Sequence, residues 1–191
     1  MKIRNVLFFI CILLSFFVLG CGGKSDNKDQ VTKTNTELAN EIKDRAKKQG
    51  LNIYEGLTVY SPDKSVSITF PNHYVILTKK DDQISQFVGI HVKHNKGINV
   101  MFAHLNGDVI LYNSNDNLVN KHMENLYKKY PEYKGNITMK KINKKWFLSD
   151  TYENGDIGLH VTSSKKTNAS LRGPKILEDD LKKIAEDIKI Q

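Results

Sequence analysis

The stretch KSVSITFP, residues 64–71, decides the fold. Val66, Ile68 and Phe70 alternate with Ser65, Ser67 and Thr69. A period of two places the apolar side chains on one face of a strand and the polar ones on the other. The turn sequence SPDK (61–64) precedes it, with proline at the second position, where a preset φ favours a β-turn. A half-buried strand needs neighbours to pair with and a layer to cover its apolar face.

Downstream the same period recurs. ISQFVGIHVKH (84–94) and INVMFAHL (98–105) flank NKG, a hairpin signal with a glycine to take positive φ. NGDVILYN (106–113) predicts a turn and a further short strand. In DNLVNKHMENLYKKYP (116–131) the period lengthens: Leu118, Val119, Met123, Leu126, Tyr127 and Tyr130 share one broad face, with Asn115 or Asp116 as cap and Pro131 as stop. A second meander follows in NITMKKI (136–142), KWFLSDTY (145–152) and IGLHVTSS (157–164), joined by NK and ENGD. SKKTNASLRGP (164–174) reads as a polar loop. Residues 176–190 predict an amphipathic helix with Leu177, Leu181, Ile184, Ala185 and Ile188 inward. Its three leading acids, Glu178, Asp179 and Asp180, suit the positive end of the helix dipole.

Upstream, TNTE (34–37) has capping-box spacing, Leu38, Ile42 and Ala46 recur every four residues, and Gly50 stands at a C-terminal stop. The stripe is narrow, so this helix either packs on the domain or acts as a spacer. Hairpin-length connections make the sheet antiparallel, with helices across its faces: an α+β domain over residues 51–191.

The stretch VYSPDKSVSITFPNHYVI (59–76), with its Phe-Pro-x-x-aromatic turn, resembles the opening of the Mog1/PsbP-like α/β/α sandwich domains, which commonly carry Trp where Tyr74 stands. The central helix, later meander and C-terminal helix also fit that layout, over about 140 residues. Residues 164–174 depart from it, since the family layout has another strand where this chain offers a polar loop. That family mixes photosystem accessory proteins, a nuclear-transport factor and bacterial lipoproteins, so the resemblance implies a binding or assembly role and no activity.

The N-terminus answers a different question. Lys2 and Arg4 precede an apolar run from Val6 to Leu19, broken only by Ser15, and small residues surround Cys21. This is the layout of an export signal over residues 1–20. The run falls short of the 18 to 20 apolar residues, roughly, that a spanning helix needs. VLGC (18–21) resembles the lipobox of bacterial lipoproteins, with Val18 where Leu is commoner. By that resemblance Cys21 is cut free at its N-terminal side and acylated on its thiol with a diacylglycerol. Two acyl chains hold a protein stably where one does not. The protein is then lipid-anchored at the cell membrane (palmitate-type chains), facing out of the cytoplasm, or at an outer membrane in a Gram-negative cell.

The chain has two cysteines, and Cys11 lies inside the signal. No cysteine remains for a disulfide, a zinc cluster or a thiol nucleophile in the folded part. Loss of Lys2 and Arg4 lowers the 29 basic residues to 27 against 21 acidic, so the net charge falls from +8 to +6. Interspersed signs make this a solubility feature first, and an attraction to anionic lipid or wall polymer second. GGKSDNKDQVTKT (22–34) reads as a disordered tether with a reach of roughly 20 Å, so residues 21–50 form a tether ending in a short helix.

Six histidines invite a metal reading. On a strand, His91 and His94 point to opposite faces, with His104 on the next strand as a cross-strand neighbour. No carboxylate is spaced to complete a ligand set, and strand or rim histidines are the plainer account. His122 and His160 are expected at partly buried edges, and His73 exposed in a turn. No nucleophile elbow or other geometric cue marks a Ser-His-Asp set. GCGGK lacks the P-loop spacing. Paired lysines from 47–48 to 182–183 read as solvated faces; with arginine scarce, no nucleic-acid partner is expected. Aromatic residues are core unless several converge on an exposed face; Tyr74, Trp146 and Tyr152 are the candidates for a partner surface. The expectation is a non-enzymatic envelope lipoprotein that binds or assembles with an envelope protein or wall polymer, without cofactor, metal or catalytic set. The alternative is an envelope enzyme or small-ligand-binding protein with a pocket between sheet and helix.

Overall fold

The computed structural model describes residues 33–78 and 86–191. Cys21, the lipobox and nearly all of the expected tether lie outside the described residues. The described chain begins with α1 (Asn35–Lys48), then β1 (Asn52–Ile53), β2 (Thr58–Tyr60), β3 (Val66–Thr69), β4 (Tyr74–Thr78), β5 (Gln86–His91) and β6 (Lys96–His104). Next come α2 (Asp116–Lys129), β7 (Ile137–Ile142), β8 (Lys145–Thr151), β9 (Ile157–Thr162), β10 (Thr167–Gly173), α3 (Glu178–Asp187) and β11 (Lys189–Ile190). Eight strands pair in the order β1-β4-β5-β6-β10-β9-β8-β7, and three more in the order β11-β3-β2. Among the described residues each of these strand pairings is antiparallel. The fold is α+β, an antiparallel sheet covered by helices.

The large sheet has an inner and an outer face. Ile98, Val100, Phe102, Phe147, Leu159, Val161, Ala169 and Leu171 turn inward. The small sheet and α3 cover them, contributing Val66, Ile68 and Phe70 from one and Leu181, Ile184 and Ala185 from the other. Phe70 makes the closest approach. A Cβ at Gly89 on β5 would stand 2.3 Å from its ring, so the ring rests where only glycine leaves room.

On the outer face α1 buries Ile42 and Ala46 against Val75, Leu77, Ile90 and Val92. Its capping box forms as the sequence predicts, with Thr34 accepting from Glu37 and Glu37 reaching back to Thr34. The domain therefore starts at this helix and not at residue 51, and the helix is no spacer. α2 is capped by the Asn115 side chain and buries Val119 and Met123.

Three other expectations change. Residues 167–173 form β10, a central strand of the large sheet, where the polar composition predicts a loop. Its alternation is intact, but small Ala169 and Gly173 sit inward and Asn168, Ser170 and Arg172 outward, so hydrophobicity is low while the period remains. Residues 106–113 form no strand; they lie over the sheet, pinned by Tyr112 N–H to Thr162 O and Trp146 N–H to Tyr112 O, each 2.9 Å. The last helix is shorter than predicted, because residues 189–190 leave it to pair with β3. In the β5–β6 hairpin the positive φ belongs to Asn95 (49°), with Gly97 adopting an ordinary conformation.

Phe70→Ala is expected to cost about 3–5 kcal/mol, because the two layers cannot close over the ring's volume. Denaturant titration measures it, and a loss below about 1 kcal/mol would show that the layers do not depend on this contact.

Candidate functional site

Two polar clusters stand out, one on each face of the large sheet. The outer one grows from strand alternation. On β8, Phe147 and Ser149 point into the core, while Trp146, Leu148 and Asp150 point out. On β9, Leu159 and Val161 point in and His160 out; on β10, Ala169 and Leu171 point in and Ser170 out. Register sets Ser170 beside His160 and His160 beside Leu148, with Asp150 one step along. Asp150 lies opposite Gly158, and its carboxylate leans across that glycine to reach the ring. A Cβ at Gly158 would stand 1.8 Å from Asp150 Oδ1.

The result is a continuous hydrogen-bonded line. Asn168 Nδ2 donates to Ser170 Oγ at 2.9 Å, Ser170 Oγ lies 2.7 Å from His160 Nδ1, and His160 Nε2 lies 3.3 Å from Asp150 Oδ1. Burial alone would raise the Asp150 carboxyl. The hydrogen bond and charge of His160, with the Tyr152 hydroxyl, outweigh burial and hold it below the usual carboxylate range. Burial and the Asp150 charge push the Tyr152 hydroxyl up to about 12, so it keeps its proton and donates. The Arg172 guanidinium stacks 3.6 Å above the Tyr152 ring and pairs with Asp156 at 3.0 Å.

Beside this line runs an open groove of about 340 Å³. Its floor is Trp146, Leu148, His160 and Thr162. Leu105, Val109 and Ile110 from the overlying segment and His122 of α2 form its wall. The Trp146 indole N–H is buried here with no hydrogen-bond partner among the described residues.

The second cluster joins the β3–β4 turn, the end of β5 and the first turn of α3. Tyr74 donates to Asp180 Oδ2 at 2.6 Å; His73 Nε2 and His91 Nε2 lie 3.5 and 3.8 Å from the same oxygen. His73, His91 and Asp180 offer ligand atoms within 4.8 Å of one another, a set of the kind zinc uses. The hydrogen bonds oppose that use. His91 Nδ1 accepts the backbone N–H of Lys93 (3.1 Å) and His94 (3.3 Å). A neutral ring that accepts at Nδ1 carries its proton on Nε2, facing Asp180, whereas a metal-bound histidine donates from its far nitrogen. As arranged, the group fits a neutral-histidine clasp and does not fit a metal. Burial, then the neighbouring His94 and His73, hold the His91 pKa below its ordinary value.

Of the aromatic candidates, Trp146 and Tyr152 stand on the outer face on either side of Asp150, whereas Tyr74 is 5 % exposed and belongs to the core, not to a surface. Cys21 lies outside the described residues. His91 and His94 do not diverge, because β5 ends at His91 and their rings come within 4.4 Å across the turn. His104 pairs with Thr167 and stands apart from both. His160, Asp150 and Ser170 had one trace in the sequence, polar residues at strand period; which of them face each other depends on β10.

Protonation of His91 is disfavoured in the folded chain, so its neutral form contributes stability that is fully present above about pH 6.5 and lost as pH falls below it. The unfolding midpoint is expected to drop between pH 7 and 5, and His91→Asn to flatten that slope. Equal slopes in both proteins would remove the clasp from the account.

No family model matches the chain, and no curated protein matches it. The solution structure of cyanobacterial PsbP (CyanoP) from Synechocystis sp. PCC 6803 is similar at 11% identity, covering 70% of this chain and 91% of that one with a TM-score of 0.42.

Proposed function

We propose that the chain is a membrane-anchored cell-envelope lipoprotein whose domain binds a partner through the outer face of its large sheet. The lipobox VLGC carries the anchoring half of this reading: an aliphatic, permissive, small triplet before a cysteine, at the end of an apolar run too short to span. The polar stretch after Cys21 holds the domain close to the bilayer, facing out of the cytoplasm. The binding half rests on the groove, open and half apolar, with Trp146 and Tyr152 at the same face. Its partner is an envelope protein or wall polymer, with no nucleic acid in the scheme.

A second reading, an envelope enzyme or small-ligand-binding protein, is favoured by one observation. Asp108, His122, Asp150 and His160 converge on the groove, more titratable groups than a simple docking face requires.

Cys21→Ala is expected to leave the protein unprocessed or to release it from the membrane fraction, with loss of labelling by a palmitate analogue. Mature-sized protein that stays membrane-bound would sink the lipid anchor. Separately, a photo-cross-linking residue at Val109 should give adducts in cells that one at Tyr60, exposed on the small sheet, does not. Identical adducts from both positions would dismiss the groove as the binding face.

A further inference from the structure

We propose that Ser170 is a nucleophile toward carboxylic esters, activated by His160 and Asp150, which line the outer-face groove beside it. This rests on the second reading above and not on the anchor.

The direction of every hydrogen bond in the line follows from its chemistry. An amide NH2 can only donate, so Asn168 Nδ2 occupies a lone pair of Ser170 Oγ. The hydroxyl proton is then free to point at His160 Nδ1, 2.7 Å away. A ring accepting at Nδ1 carries its own proton on Nε2, which faces Asp150 Oδ1 at 3.3 Å. Asp150 stays ionised, and Tyr152 donates to it without competing for the histidine. Nucleophile, base and orienting carboxylate thus stand in the order that acyl transfer requires.

Gly158 is the independent observation. Between Asp150 and His160 any side chain would fall on the carboxylate, since a Cβ there would also lie 3.1 Å from His160 Nε2. The bare backbone at Gly158 is what lets the Asp150 carboxylate reach the ring. His160 and Asp150 keep 22% and 20% of their side-chain surface, so solvent and substrate reach them. The groove beside them offers Leu105, Val109, Ile110 and Leu148 to an apolar acyl chain.

In the first step Ser170 Oγ bonds to the ester carbonyl carbon and its proton passes to His160 Nδ1, leaving an imidazolium against Asp150. Collapse of the tetrahedral adduct breaks the ester C–O bond, and the Nδ1 proton goes to the departing alcohol. Water then attacks acyl-Ser170, gives a proton to Nδ1, and the carboxylic acid leaves as that proton returns to Ser170 Oγ. The sum is ester plus water to acid plus alcohol. Asn168 Nδ2 donates to Ser170 Oγ itself, so its part is to orient the hydroxyl toward His160 and not to hold the carbonyl oxyanion.

The test uses the full-length protein in detergent with a fluorophosphonate probe, adduct mapping by mass spectrometry, and p-nitrophenyl butyrate turnover. The expected result is an adduct on Ser170, suppressed by the ester. His160→Gln should slow labelling by about 100-fold or more. Gly158→Ala leaves Ser170 in place but displaces Asp150 and crowds His160 Nε2, and should slow it by about tenfold or more. Absence of an adduct on Ser170 in the parent protein, or labelling that His160→Gln does not change, would overturn the proposal. Either result leaves the anchored binding reading standing, since that is judged by fractionation and cross-linking.

Discussion

The Phe70 ring lying on the bare backbone of Gly89 is the contact on which the two layers depend. It brings the small sheet down onto the large one, and with α3 it removes the inner face from water. Val66, Ile68 and Phe70 are each at most 1 % exposed, and burial of side chains this size contributes roughly 1.5–3 kcal/mol apiece. The centre of the inner face is committed to packing in this way, and the face opens only toward its margin, where Ile142, Ile157 and Leu159 meet Leu181 of α3 at a cleft of about 470 Å³.

The outer face is covered unevenly, and the gap explains where the polar line lies. α1 shields the β1-β4-β5 end with apolar contacts, and α2 with the 105–112 segment roofs the β7-β8 end. Between them β10 and β9 carry Asn168, Ser170, Arg172 and His160 outward. Half-buried polar groups of this kind are tolerated only when they satisfy one another. Asn168, Ser170, His160, Asp150 and Tyr152 do so in one chain, which also fixes the tautomer of the histidine.

Polar groups tie the layers together at their margins as well. Burial would raise the Asp63 carboxyl, yet Thr167, Ser61 and Ser65 donate to it and hold it well below the usual range. Ser65 and Ser163 meet at 3.0 Å alongside it. The SPDK turn is thus more than a chain reversal: it fastens the small sheet to the β9–β10 hairpin. The Tyr74–Asp180 bond does the same for α3, and burial with the Asp180 charge pushes the Tyr74 hydroxyl far above its ordinary value.

By itself the sequence determined what is local. Alternation in KSVSITFP, the Thr34 capping box, the Asn115 cap and the three strands from 137 to 162 appear in the structure where the periods place them. Such features depend on dihedrals and neighbours within a few residues, so composition and spacing reveal them. Tertiary structure alone decided what is non-local. Thr167–Gly173 is a strand because β6 and β9 pair with it on both sides, and no hydrophobic run announces that. The same pairing sets Ser170 against His160, while the β8–β9 register lets Asp150 cross Gly158. Residues ten positions apart along the chain cannot show that they touch until the register of three strands is set.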